Sequence, residues 1–90
     1  MKLKWRSEAL DDLQRIYSFN TEKSESFAMR MERRLLERAQ AIAAIPRLGR
    51  STDRMGIMRL SVTDIQYVID YRRFEDRVSI VRIRSTREIR

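Results

Sequence analysis

The first half of the chain carries apolar side chains at the spacing of helices. It opens with a short alternation of polar and apolar residues, which predicts a strand over residues 2–6. Helical spacing then predicts a first helix over residues 7–20 and a second from about 24 to 44, the second with an apolar stripe of Ala28, Met31, Leu35, Ala39, Ile42 and Ile45. Because the loop between them is short, the two helices should form an antiparallel hairpin.

The second half changes to the two-residue period of strands. Ile45 and Pro46 end the second helix, since the residue before a proline avoids helical dihedral angles. Residues 47–54 are predicted to be a loop, and three strands follow over residues 57–62, 66–72 and 78–84, separated by short turns. The predicted order is β-α-α-β-β-β. This is an α+β fold of one domain, residues 1–90, with a helical hairpin packed on a small, mainly antiparallel sheet.

The pattern of the last strand predicts which of its side chains face the helices. Simple alternation places Val81 and Ile83 toward the hairpin, and Ile80, Arg82 and Arg84 on the opposite, open side of the sheet. Residues 85–90 are predicted to be a mobile tail. The strand should therefore present a positively charged patch on the open side.

The composition narrows the chemistry that the chain could perform. It contains neither cysteine nor histidine, which excludes disulfides and thiolate catalysis and disfavours transition-metal sites. We therefore expect no metal and no cofactor. No apolar run approaches the roughly 18 residues of a membrane span, and the N-terminus lacks the apolar stretch of a signal peptide. We expect a soluble, cytoplasmic protein without a membrane partner.

The charge is strongly positive and unevenly distributed. The net charge is +7, and residues 47–90 hold 11 basic and 6 acidic side chains, against 9 and 7 in residues 1–46. Most of the basic residues are arginine, which suits bidentate contact with carboxylate or phosphate. Such a chain favours an acidic partner, and an acidic protein or a nucleic acid would both qualify.

Several segments together resemble the RelE/ParE superfamily of toxins from toxin–antitoxin systems. They are Trp5 and Ala9 followed by Asp12, Leu13 and Ile16; Ile-Pro-Arg-Leu-Gly-Arg at 45–50; Met-Arg at 58–59; Tyr-Val-Ile-Asp-Tyr-Arg at 67–72; and Val-x-Ile-Val-Arg-Ile at 78–83. The resemblance implies the same β-α-α-β-β-β fold. It also implies a cognate acidic antitoxin that wraps the toxin with a helix and an extended segment. The two would form a hetero-oligomer that contacts DNA through the antitoxin.

The superfamily contains ribonucleases and non-nuclease toxins, and the chain departs from the ribonuclease pattern. Val68 stands on or near the position where ribonuclease members typically have a catalytic arginine, and Ser85 stands where many have histidine. No tyrosine or histidine follows Tyr71, and Glu88 is the one candidate base near the C-terminus. The resemblance is therefore to the ParE branch, which implies a non-enzyme that inhibits DNA gyrase by binding. A ribosome-dependent mRNA endoribonuclease and an inactive toxin-like interaction module remain the alternatives.

Four arginines are the candidate binding residues for target or antitoxin. They are Arg59, Arg82, Arg84 and Arg87, and no catalytic residue is predicted. Arg82 and Arg84 should share a strand face, while Arg87 follows the last strand. For Arg59, a purely structural ion pair with Asp70 on the neighbouring strand is an equally good interpretation.

Overall fold

The computed structural model describes residues 1–88 and confirms the predicted order of helices and strands. The elements are β1 (Lys2–Trp5), α1 (Ser7–Asn20), α2 (Glu25–Ala44), β2 (Arg50–Ser51), β3 (Met58–Val62), β4 (Tyr67–Arg73), β5 (Arg77–Ser85) and a 3₁₀ turn (Thr86–Glu88). The two helices pack on one five-stranded sheet, which is the predicted α+β arrangement.

The boundaries of α2 follow from local chemistry. The side-chain oxygen of Ser24 accepts a hydrogen bond from the Phe27 amide at 3.0 Å, which caps the first turn of the helix. Ala44 is the last helical residue, because Ile45 precedes Pro46 and has non-helical dihedral angles. Residues 1–88 contain two α-helices, α1 and α2, and neither is long and apolar enough to cross a bilayer.

The sheet has the strand order β1-β5-β4-β3-β2. β1 runs parallel to β5, and the other neighbouring strands are antiparallel, which confirms a mainly antiparallel sheet. The prediction of an unbroken loop over residues 47–54 was wrong, because Arg50 and Ser51 pair with Arg59 and Met58 as a short edge strand. Two residues are too few for strand alternation to show in the sequence.

A bulge in β5 overturns the predicted orientation of two residues. Asp70 is opposite Arg82, but the next residue, Tyr71, is opposite Ile80, so Val81 is the extra residue on β5. The bulge turns Ile80 into the core, where it is completely buried, and leaves Val81 only half-buried. The predictions that Val81 faces the helices and that Ile80 lies on the open side were therefore wrong. Ile83 is in the core, as predicted.

The chain after β5 is more ordered than a mobile tail. Ser85 is still part of β5, and residues 86–88 form the 3₁₀ turn. The amide of Thr86 donates to the Gln66 carbonyl at 2.9 Å, which holds this segment against the start of β4. The prediction of a tail over residues 85–90 was thus wrong for residues 85–88, and residues 89 and 90 lie outside the described part of the chain.

The core lies between the helical hairpin and one face of the sheet. It contains buried side chains from both helices and three strands: Ala9, Ile16, Leu35, Ala39, Ile42, Leu60, Val62, Tyr67, Ile69, Tyr71, Val78, Ile80 and Ile83. Trp5 and Leu3 pack against its margin. Burial on this face leaves the other face of the sheet, which we call the open face, to carry the polar residues of the central strands.

Candidate binding surface

The strand register places four charged residues in one row across the open face. Arg50 on β2 is opposite Arg59 on β3, Arg59 is opposite Asp70 on β4, and Asp70 is opposite Arg82 on β5. Directly opposed residues of antiparallel strands project from the same face. The row therefore combines three guanidinium groups with one carboxylate.

Asp70 is the centre of a buried ion-pair cluster on the open face. Its carboxylate accepts from Arg59 Nε at 2.6 Å and Nη2 at 3.0 Å, and from Arg84 Nη2 at 2.9 Å. Its exposed fraction is only 1%. Burial disfavours the charged form, but the hydrogen bonds from the two arginines outweigh it and lower the pKa of Asp70. The same contact raises the pKa of Arg59, so the cluster remains ionised.

A second cluster joins α1 to the edge of β5. Asp12 accepts from Arg82 Nε at 2.7 Å and Nη2 at 3.1 Å, from Arg15 Nη2 at 3.2 Å, and from the Ile83 amide at 2.9 Å. The Ile83 amide is available because β1 pairs with β5 only as far as Ile80. Burial opposes ionisation of Asp12, but these donors outweigh it and lower its pKa. The carboxylate thus replaces a missing strand partner.

Each predicted binding residue can now be placed. Arg59 forms the ion pair with Asp70 that was considered for it, and its contact with a target or antitoxin stays a prediction. Arg82 and Arg84 are two residues apart on one strand, but Arg82 binds Asp12 and Arg84 binds Asp70. They therefore do not form one patch of unpaired positive charge. Arg87 is exposed on the 3₁₀ turn and shares neither Asp12 nor Asp70 with the other three.

The Tyr71 hydroxyl and the Glu88 carboxylate each contact other groups of the described residues. The Tyr71 hydroxyl accepts from the Gly49 amide at 2.8 Å and donates to the Pro46 carbonyl at 2.9 Å. Its burial raises the pKa of Tyr71, against a smaller opposing effect of the Gly49 amide. Glu88 lies 3.8 Å from Arg15 and accepts weakly from the Ser85 amide at 3.4 Å. Neither group is recorded in a hydrogen bond with the Asp70 cluster.

Two adjoining cavities surround the short strand β2. One of about 380 Å³ is lined by Ser51, Thr52, Arg54, Met55, Gly56, Ile57, Met58, Arg73 and Phe74. The other, of about 260 Å³, is lined by Arg50, Ser51, Thr52, Asp53, Arg59 and Ser61. Ser51 and Thr52 belong to both, so the cavities meet at β2. We call the surface formed by these residues the β2 edge. Among residues 1–88, no three His, Cys, Asp or Glu side chains cluster as metal ligands would.

The sequence analysis did not identify the buried ion pair of Asp12 or the surface of the β2 edge. Asp12 lies three residues after Ala9 and four before Ile16, which places it on the apolar stripe of α1. A carboxylate at such a position signals a buried partner. The β2 edge had a weaker signal, namely Arg47, Arg50 and Arg54 within one short loop.

Two helices packed on one five-stranded mixed sheet are the fold that the resemblance to RelE/ParE toxins implied. A solved structure described as "Chromosomal ParDE TA system from P. aeruginosa" matches with a TM-score of 0.85, 23% identity, and 94% and 95% coverage of this chain and that chain. The profile of the family "ParE toxin of type II toxin-antitoxin system, parDE" matches residues 3–90. The chain belongs to this ParE toxin family. No curated protein sequence matches it significantly.

Proposed function

We propose that this ParE toxin inhibits DNA gyrase by binding to it in the cytoplasm, without catalysing bond cleavage. One observation carries the proposal. The arginines of the central strands are held by buried carboxylates, and the Tyr71 hydroxyl bonds two backbone groups of the 46–49 loop. This arrangement supports contact with a charged partner better than proton transfer to or from RNA.

The contrast with nuclease chemistry supports this proposal. Cleaving RNA by its own 2′-hydroxyl needs one group to accept a proton and another to protonate the leaving oxygen. A guanidinium is a poor proton donor because its pKa exceeds about 12. The pairing with Asp70 raises the pKa of Arg59 further and makes proton donation harder still. Arg59 is better suited to binding, and its Nη1 atom is not used in the pair.

We propose that an acidic antitoxin neutralises the toxin by docking on the helical hairpin and contacts DNA through its own residues. Exposed large apolar side chains lie on or beside both helices: Leu10, Phe19, Met29, Leu36 and Ile45. Apolar side chains among exposed arginines suit an amphipathic, acidic helix. The four predicted contact residues Arg59, Arg82, Arg84 and Arg87 remain candidates for the target or for the extended antitoxin segment.

Gyrase supercoiling of a relaxed plasmid tests the proposal. Added toxin should inhibit supercoiling in proportion to its concentration, and toxin premixed with its antitoxin should not. Full supercoiling at saturating, correctly folded toxin would refute gyrase as the target. In parallel, codon-phased cuts in ribosome-bound transcripts after brief induction would establish the endoribonuclease alternative instead. Normal growth at verified toxin levels would favour an inactive interaction module.

A further inference from the structure

A group of arginines without a salt bridge lies in and around the part of the chain that contains β2. Arg47, Arg50, Arg54, Arg72 and Arg73 form no salt bridge with any group in residues 1–88, which is also true of Arg6 after β1 and Arg87 after β5. By contrast, Arg59, Arg77, Arg82 and Arg84 are all paired. The internal carboxylates thus neutralise the centre of the sheet and leave the β2 edge positive.

The two cavities give this charge a defined shape. Arg54 and Arg73 line the larger cavity, which has no acidic residue in its wall. Arg50 and Arg59 line the smaller one, where Asp53 is the only acid. Two guanidinium groups thus border each of two depressions, which adjoin at Ser51 and Thr52. Arg50 and Arg59 are directly opposed on neighbouring strands, so they are separated by about one strand spacing, roughly 5 Å.

The remaining polar groups of the two depressions are hydroxyls. Ser51, Thr52 and Ser61 line them together with the arginines. Arginine and hydroxyl side chains are the groups that most often contact the phosphates of nucleic acids. Thr52 already bonds the Ile57 carbonyl and the Arg54 amide, which fixes the wall of both depressions.

The distribution of apolar side chains argues against a protein as the occupant. A protein interface usually has an apolar centre surrounded by a polar rim. Here the exposed large apolar side chains lie mostly on the helices, and Met55 is the single one at the β2 edge among the described residues. Met55 is also 94% exposed and thus does not form a pre-packed anchor. A uniformly charged polyanion fits this surface better.

We propose that the β2 edge binds the phosphodiester backbone of nucleic acid directly, without reading the bases. Arg50, Arg54 and Arg73 supply the contacts, with Arg59 contributing its unused Nη1, and Asp53 limits the affinity. The inference goes beyond antitoxin-mediated DNA contact and does not depend on gyrase being the target. The toxin would thereby gain a second contact wherever its protein partner is bound to nucleic acid.

Fluorescence anisotropy with the full chain tests the proposal. The probes are a labelled 20-base-pair DNA duplex and a labelled single strand of the same length, each titrated over a range of salt concentrations. The test variant is Arg50→Gln with Arg54→Gln, two exposed residues whose side chains make no recorded hydrogen bond. The control is Arg30→Gln with Arg33→Gln on the exposed surface of α2, which removes the same charge. Circular dichroism verifies that both variants fold.

We expect the unmodified chain to bind with an affinity that falls linearly with salt on a double-logarithmic plot. Each lost duplex contact should reduce the slope by about 0.9, so the test variant should lose about two units of slope and at least tenfold in affinity near 0.1 M salt. Asp53→Asn should instead tighten binding by about two- to five-fold. Tighter binding of the duplex would assign the surface to double-stranded nucleic acid, and tighter binding of the single strand would assign it to unpaired strands.

Two results would overturn the inference. Equal losses in the Arg50/Arg54 and Arg30/Arg33 variants would mean that net charge alone attracts the probe. Unchanged nucleic-acid binding in the Arg50/Arg54 variant, together with weaker binding of the acidic antitoxin, would assign the β2 edge to a protein partner.

Discussion

Replacing Asp70 with alanine should be among the most destabilising single changes in the protein. The side chain is almost completely buried and accepts three charge-assisted hydrogen bonds from Arg59 and Arg84. Its removal from β4 would leave two positive guanidinium groups, on the strands β3 and β5 that flank it, without their shared carboxylate. Breaking a fully buried ion pair costs about 3–5 kcal/mol. Because both arginines keep about a quarter of their side-chain surface in water, we expect about 3 kcal/mol.

That loss is large relative to the stability of a 90-residue domain. Domains of this kind unfold with a free energy of about 5–15 kcal/mol, and 1 kcal/mol corresponds to about 4–8 °C in Tm. Asp70→Ala should therefore lower Tm by about 12–24 °C. The assay is thermal and urea unfolding of the antitoxin-free chain, followed by circular dichroism, with the antitoxin absent because a bound partner would mask the loss.

Asp64→Ala provides the matched control. Asp64 pairs bidentately with Arg34, but its side chain is 55% exposed. Exposed pairs contribute less than about 1 kcal/mol, so this variant should unfold close to the unmodified chain. If the two aspartate variants lost the same small amount, the burial of the Asp70 cluster would not be the source of stability and the reasoning would fail.

Two further predictions concern the buried polar groups. Folding lowers the pKa values of Asp12 and Asp70, so the unfolded chain binds more protons at low pH. The stabilisation of the folded state by these two carboxylates is therefore fully present above the unfolded pKa of about 4. It is lost as the pH falls through the lower pKa values of the folded state. Urea unfolding across this range should show the decline, and it should be shallower in Asp12→Asn; an equal slope would contradict the assignment. Tyr71→Phe should cost about 1–3 kcal/mol, because the Gly49 amide and Pro46 carbonyl lose their partner. Urea unfolding measures this loss as well, and an unchanged midpoint would show that water replaces the hydroxyl.

The fold could be predicted from the sequence because its periodicities are long and regular. The stripe of α2 continues over five turns, and β4 and β5 are each at least seven residues long. The two-residue strand β2 offers no period, and its existence depends on pairing with β3. The bulge at Val81 is also invisible to simple alternation, since it depends on the register between β4 and β5.

The candidate surface was predictable only in part. The sequence identified Arg59, Arg82 and Arg84 as strand arginines and offered Asp70 as a partner for Arg59, but it could not say which carboxylates Arg82 and Arg84 would meet. Arg82 and Asp12 are 70 residues apart, and only the packing of α1 beside β5 brings them together. An arginine in a strand can equally be free or paired, so the distinction between a binding group and a structural one required the three-dimensional fold.

The central claim is that the toxin acts by occupying its target and not by turnover. The most direct measurement is a time course of plasmid supercoiling by purified gyrase, with toxin at one tenth of the gyrase concentration and antitoxin added at the end. A binding inhibitor should block at most about the matching fraction of gyrase, reach a constant level, and be reversed by the antitoxin. Inhibition that deepens steadily to completion and persists after antitoxin addition would show catalytic damage and contradict the account.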